Sequence, residues 1–134
     1  MEKKYRLRSG RVFAFLHRKG SSCANKKLVL SYAPSKYPLK VGFIVSKKVG
    51  GAVIRNKVRR RLREAFRAII PFIRDNVNYV IIARESCADA DFEEIANNLL
   101  HLMIKSDNLI KQIDDNTISF LKLKPYILDK INLD

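Results

Sequence analysis

Tryptophan is absent from this 134-residue chain, and cysteine (2), proline (4) and glycine (5) are sparse. Cys23 and Cys87 stand alone, with no second thiol or histidine at metal-ligand spacing. Neither a zinc site nor a disulfide framework is expected, only two thiols in a reducing compartment. No apolar run approaches the length of a bilayer span, and the basic first residues lack the apolar core of a secretory signal. The cytoplasm is therefore the expected location. Acidic residues are scarce in one half only: residues 1–74 hold 2 against 21 Lys and Arg, a net of +19. Residues 75–134 hold 11 against 6, a net of −5.

What is present is enough for a fold. Apolar residues make up 47% of the chain, which supports one ordinary domain rather than a disordered polycation. A formal charge of +14 exceeds what solubility requires and implies a polyanionic partner, nucleic acid or an acidic membrane surface.

Along the chain, Val12, Phe13, Phe15 and Leu16 predict a short helix over Arg11 to Arg18, with Ser9 as its cap and Gly20 as its stop. Leu28–Ala33 and Val41–Val45 are rich in strand formers and are separated by a turn region from Pro34 to Pro38. They read as neighbouring antiparallel strands. After the Gly50-Gly51 break, Val58, Leu62, Ala65, Phe66 and Ile69 recur at helical spacing until Pro71 ends the pattern. Tyr79–Ala83 fits a buried strand, and Asp91 to Lys105 a helix that opens on Asp91 and Glu94 at capping-box spacing. Thr117–Lys124 alternates loosely and reads as a strand or an extended tail.

The strongest signal is the segment from Lys47 to Arg67. Its helix has one apolar stripe, while Lys57, Arg59, Arg60, Arg61, Arg63 and Arg67 fall mostly on the remaining circumference. Solvated faces normally mix signs of charge, yet Glu64 is the one acid between Lys47 and Arg67. Forked guanidinium donors at regular axial intervals suit phosphate oxygens, and Asn56 adds a neutral donor and acceptor at the positive helix end.

The run Ala52-Val53-Ile54-Arg55-Asn56-Lys57-Val58-Arg59-Arg60-Arg61-Leu62-Arg63, preceded by Val41-Gly42-Phe43-Ile44-Val45-Ser46-Lys47-Lys48-Val49-Gly50, resembles the bacterial ribonuclease P protein subunit. Weaker similarity reaches Phe13, Gly20, Ala24-Asn25 and Tyr79 to Arg84. The resemblance implies an α+β fold: one small domain with elements in the order α-β-β-β-α-β-α, a four-stranded mixed sheet and a left-handed β-α-β crossover, opposite to the general handedness rule. It implies a domain over residues 1–105 and leaves 106–134 as an acidic C-terminal extension without an assigned role.

It also implies that a catalytic RNA with bound magnesium cuts precursor tRNA at the 5′ leader, and that the protein itself holds no cofactor or metal. Two surfaces follow. Lys48, Arg55, Asn56, Lys57, Arg59, Arg60 and Arg63, flanked by Lys47 and Arg67, match the surface that meets the catalytic RNA. Phe13, His17, Val29, Ser31, Ile44 and Arg84 match a cleft for the single-stranded leader of precursor tRNA. Phe13 taken by itself reads as core. The family usually has aromatics where this chain has His17 and Ser31, which implies a more polar cleft; Gly51 and Asn78 also depart from its pattern.

Three competing readings remain in view. A protein nuclease would need convergent carboxylates or a poised histidine, for which Asp89, Asp91, Glu93, Glu94 and His101 are the candidates. Acids at a helix start serve as caps without any catalytic role. A structural RNA-binding protein of a ribosomal or other particle fits the charge and size equally well, and only the motif argues against it. DNA reading is disfavoured because the helix is poor in base-reading residues beyond Asn56. The partners expected are ribonuclease P RNA and precursor tRNA, with neither DNA nor membrane.

Overall fold

Alternation along the strands gives this chain a sheet with two unlike faces, and those faces decide where each helix packs. The computed structural model describes residues 1–131, so the last three residues of the expected extension lie outside the described residues. Strands β1 (Ser21–Ala24), β2 (Leu28–Pro34), β3 (Lys40–Val45) and β4 (Val77–Ala83) form one sheet in the order β1-β2-β4-β3. β2 is antiparallel to β1 and β4, whereas β3 runs parallel to β4. Helices α1 (Gly10–Lys19), α2 (Ala52–Ile69) and α3 (Phe92–Lys105) complete the α-β-β-β-α-β-α order of an α+β domain with a mixed sheet.

One pairing expectation is overturned. Leu28–Ala33 and Val41–Val45 are not neighbours, because β4 lies between them and pairs with both. The central place goes to the most continuously apolar run: Val77, Tyr79, Val80, Ile81 and Ala83 are all buried, as a strand covered on both faces requires. The edge strand β1, Ser-Ser-Cys-Ala, carries too little apolar alternation to declare itself.

Register puts Leu28, Ala83 and Val45 in one row, Leu30, Ile81 and Phe43 in the next, and Tyr32, Tyr79 and Val41 in a third. This face meets α2 and α3. Val58, Leu62, Ala65, Phe66 and Ile69 of α2 have no exposed surface, and burying each large member contributes ~1.5–3 kcal/mol. The Phe66 ring stands edge-on to Phe43 and Tyr79, with centroids 5.9 and 5.7 Å away. α2 gives way to a 3-10 turn at Ile70–Phe72, where Pro71 removes a helical donor. At the start of α3, Asp91 Oδ1 accepts from the Glu94 amide at 2.8 Å. The Glu94 carboxylate turns instead to Lys27 at 3.5 Å, so the outward half of the capping box forms alone.

The segment read as a strand or extended tail is helical. α4 (Asp115–Leu121) and α5 (Pro125–Ile131) follow α3, joined through Lys122 in the left-handed region at φ 53°. Their seven residues span barely two turns, too few for a period to stand out. Asp114 supplied the local clue, since its Oδ1 accepts from the Thr117 amide at 2.8 Å. Ile113, Leu121, Leu123, Ile127 and Ile131 join the same core as α2 and α3. The buried Asn97 amide ties the segment down, donating to the Lys122 carbonyl at 3.1 Å and accepting from the Lys124 amide at 2.7 Å. Lys124 also forms an ion pair with Glu93.

Leu121→Ala is therefore expected to destabilise the whole domain by ~2–5 kcal/mol in chemical denaturation, as a core truncation does. An unchanged midpoint would mean that the segment hangs free of the core.

Candidate nucleic-acid interface

From β3 the chain enters a tight turn. The Val49 amide donates to the Ser46 carbonyl at 3.1 Å and the Gly50 amide to the Lys47 carbonyl at 3.2 Å. Val49, buried, pins the turn and leaves Lys47 and Lys48 exposed. Gly50 adopts φ 156°, and a Cβ there would sit 3.0 Å from the Ile54 side chain, so glycine suits both the turn and the helix that follows. Gly51 begins α2 with no side-chain cap, which leaves the positive helix end open beside the two lysines.

The buried stripe of α2 fixes the direction of its charges. Asn56, Lys57, Arg60, Arg63 and Arg67 are exposed, while Arg55 and Arg59 are half-buried. Arg59 is held in place, donating to Asn56 Oδ1 at 3.0 Å and more loosely to the Val45 carbonyl at 3.5 Å. Arg61 departs from the expected outer circumference: its guanidinium donates to the Ala90 carbonyl at 2.7 Å and serves the inner seam. Arg55 Nε is buried without a hydrogen-bond partner. The ion pairs among the described residues are Lys4–Glu2, Lys27–Glu94 and Lys124–Glu93, and none draws on α2 or its preceding turn.

On the opposite face of the sheet lies α1. The Ser9 hydroxyl caps it by accepting from the Val12 amide at 3.4 Å, and Gly20 ends it. Val12, Phe13 and Leu16 pack with Leu7, Ala33, Val80 and Ile82 as a small second cluster. Register places Val29, Ile82 and Ile44 in one row on this face and Ser31, Val80 and Gly42 in the next. The Phe13 ring lies directly on Gly42, where an added Cβ would come 2.7 Å from ring carbon Cε1. Phe13 is thus half-buried, a platform fixed on one side and open on the other. His17, one turn further along α1, is exposed, as is Ile44.

Arg84 stands just beyond β4 and donates to the Asn25 carbonyl at 3.0 Å. An open hollow of about 470 Å³ is lined by Lys26, Ser46, Lys48, Ile82 and Arg84 among others, with Glu85 as its one acid. It joins the Ile82 row of the cleft to the basic turn, so the two surfaces inferred separately from sequence form one continuous tract. Lys26 joins the site here, and no spacing signal in the sequence points to it. Ile82 was legible through its two-residue spacing from Arg84.

Four of the five nuclease candidates are occupied structurally, while Asp89 is exposed on the surface. Asp91 caps α3, Glu93 pairs with Lys124, and Glu94 pairs with Lys27. His101 meets Asn25, whose Oδ1 accepts from the Lys27 and Leu28 amides at 3.1 and 3.0 Å. The Asn25 Nδ2 therefore donates to His101 Nδ1 at 3.1 Å, which makes that nitrogen an acceptor and the ring neutral. Burial, and then the Lys130 and Lys105 charges, hold the His101 pKa below its ordinary value. Among the described residues no three His, Cys, Asp or Glu side chains converge as a metal site, and no helix is long and apolar enough to cross a membrane.

Fold and site together define a small basic α+β protein built to hold nucleic acid. Residues 1–107 match the family model for ribonuclease P. The ribonuclease P protein component of Shouchella clausii strain KSM-K16 is 39% identical over 108 residues, covering 79% of this chain and 88% of that protein. The Staphylococcus aureus RNase P protein superposes with a TM-score of 0.73 at 32% identity, covering 78% of this chain and 97% of the other. The Thermotoga maritima RNase P protein, solved in complex with 1-(4-fluorophenyl)-2-thiourea, gives 0.68 at 30% identity over 72% and 95%. The chain belongs to the ribonuclease P protein family. Its role is that of the family, the protein component of a ribonucleoprotein hydrolase that matures the 5′ ends of tRNA.

Two outcomes are expected from this geometry. Gly42→Ala forces Phe13 off the sheet and costs ~1–3 kcal/mol, whereas in a Phe13→Ala background the same change costs much less; equal costs in a double-mutant cycle would refute the contact. For His101, folded and unfolded proteins are both neutral above about pH 6.5, and the unfolded chain takes up the proton first as pH falls. Stability is lost from there down to the folded pKa. His101→Gln, which keeps an acceptor, should lower the dependence of Tm on pH between pH 7 and 5; an identical slope would rule out this coupling.

Proposed function

We propose that α2 and the turn before it hold the catalytic RNA of ribonuclease P, and that the cleft between α1 and the sheet holds the 5′ leader of precursor tRNA. The observation that carries this reading is the cationic face of α2, which no ion pair among the described residues neutralises and which Lys48 and Arg84 join to the cleft. Close cations without acidic partners repel one another, and a polyanion reverses that cost.

Within the cleft, Phe13 offers one aromatic face, while Ser31 and His17 offer hydrogen bonds where further stacking would otherwise occur. The leader is gripped there by one stacked base and polar edges. Cutting falls to the RNA, where magnesium, when bound, would supply activation of the attacking water. This chain supplies binding and orientation, and it works in the cytoplasm alongside tRNA precursors.

Reconstitution with a bacterial ribonuclease P RNA at low magnesium should restore 5′ maturation. Arg60→Glu with Arg63→Glu is the cleaner charge test, because both side chains are exposed while Arg59 also braces Asn56. The pair should weaken RNA binding and flatten its salt slope by about one unit per lost phosphate contact. Phe13→Ala should reduce affinity for leader-bearing substrate by about tenfold while sparing mature tRNA. No rescue of processing, or equal losses on both substrates, would overturn the assignment.

A further inference from the structure

The sheet face that carries the cleft does not end at Phe13. Two residues along from the row of Ser31, Val80 and Gly42 comes a third row, Ala33, Asn78 and Lys40, roughly 7 Å further on. Beyond the start of α1 this row opens into a groove of about 500 Å³, bordered by Lys3, Arg6, Arg8, Lys40, Val12 and Tyr37 among others. No acidic residue lines it. Glu2 turns to Lys4, and Asp75 nearby accepts from the Leu39 and Asn76 amides at 2.7 and 2.8 Å.

Tyr37 stands out on the rim. Its side chain belongs to a residue 70% exposed, yet the loop beneath it is braced. The Tyr37 amide donates to Ser35 Oγ at 3.1 Å, and its carbonyl accepts from Asn76 Nδ2 at 3.2 Å. The Ser35 amide donates to the Asn76 carbonyl at 2.7 Å, and Leu39, 3% exposed, anchors the far side of the loop. An aromatic ring on a fixed backbone and free of the core carries little stability for the fold. It is poised for a planar ligand at low entropic cost, and the four cations around the groove suit the phosphates of that ligand's chain.

We propose that the groove is a second leader subsite, in which Tyr37 stacks a base upstream of the one held by Phe13 while Lys3, Arg6, Arg8 and Lys40 take the intervening phosphates. The inference rests on the leader reading above. It adds that this chain contacts a longer stretch of single strand than the cleft between α1 and the sheet can hold, and that the aromatic withheld at Ser31 is supplied further along the same track.

The test uses holoenzyme reconstituted from the full chain and a bacterial ribonuclease P RNA, with precursor tRNAs whose leaders lengthen one nucleotide at a time. With the wild-type protein, affinity should rise in two steps, at the lengths that reach Phe13 and then Tyr37. Tyr37→Ala should remove the second step, a loss of about five- to tenfold on long leaders, and leave short leaders and mature tRNA unchanged. Tyr37→Phe should keep both steps. If the wild-type protein shows no dependence on the leader at all, the cleft reading and this subsite both fail. If the first step is present but Tyr37→Ala alters nothing, or weakens all substrates equally, the subsite alone is overturned.

Discussion

The burial of one stripe of α2 fixes the rest of the molecule. Phe66 is held edge-on between Phe43 and Tyr79, and Val58, Leu62, Ala65 and Ile69 extend that contact along the helix. Two exposed guanidinium groups one turn apart repel by only about 0.7 kcal/mol at ~6 Å in water. A single fully buried Leu or Phe outweighs this at ~1.5–3 kcal/mol. The apolar stripe therefore sets the rotation of the helix, and Lys57, Arg60, Arg63 and Arg67 face outward whether or not a partner is present. The fold tolerates their repulsion because the anchoring is strong. The same anchoring leaves the charged face preformed, so a polyanion that lands on it meets little cost of ordering the backbone.

The sheet then gives a second surface of different chemistry. Its core face is filled with large side chains, but the α1 face carries Ser31, Gly42 and Ala33 where bulk would close the cleft. Gly42 is decisive there, since Phe13 lies where a Cβ would go. Small residues in the strands thus bring an aromatic ring down onto the sheet without burying it fully. The parallel pairing of β3 with β4 matters too. It brings the end of β3, and with it Lys47 and Lys48, beside the end of β4 and Arg84, so the cleft and the cationic helix adjoin.

Much of this was legible in the residues themselves. Ser9 and Gly20 bound α1, the stripe of α2 is where its spacing put it, and Asp91 caps α3. Each of these signals is local, which is why it survives in one sequence. The β2–β3 adjacency failed because strand order is a contest between non-local pairings, and β4, distant in sequence, offers more apolar surface on both sides. Arg61 was misplaced for a related reason: its angular position permits either side, and the Ala90 carbonyl that draws it in lies 29 residues away. Tyr37 gave no signal at all, because an exposed aromatic in a Pro-flanked turn looks the same whether or not a groove opens beside it.

The extension shows how far local signals fall short of the energetics. Helices of seven residues do not persist alone in water, so α4 and α5 depend on the surface they cover. That surface is α3 and the flank of α2, reached by Leu121, Ile127 and Ile131 and fastened by the Asn97 amide. The two acids of this half that form ion pairs among the described residues, Glu94 and Glu93, meet Lys27 and Lys124 rather than the arginines of α2. Apolar contact and charge are thus kept apart: the C-terminal helices add hydrophobic support to the seam beneath α2 without neutralising its outer face. A segment outside the family match, which ends at residue 107, in this way steadies the helix on which nucleic-acid binding is proposed to depend.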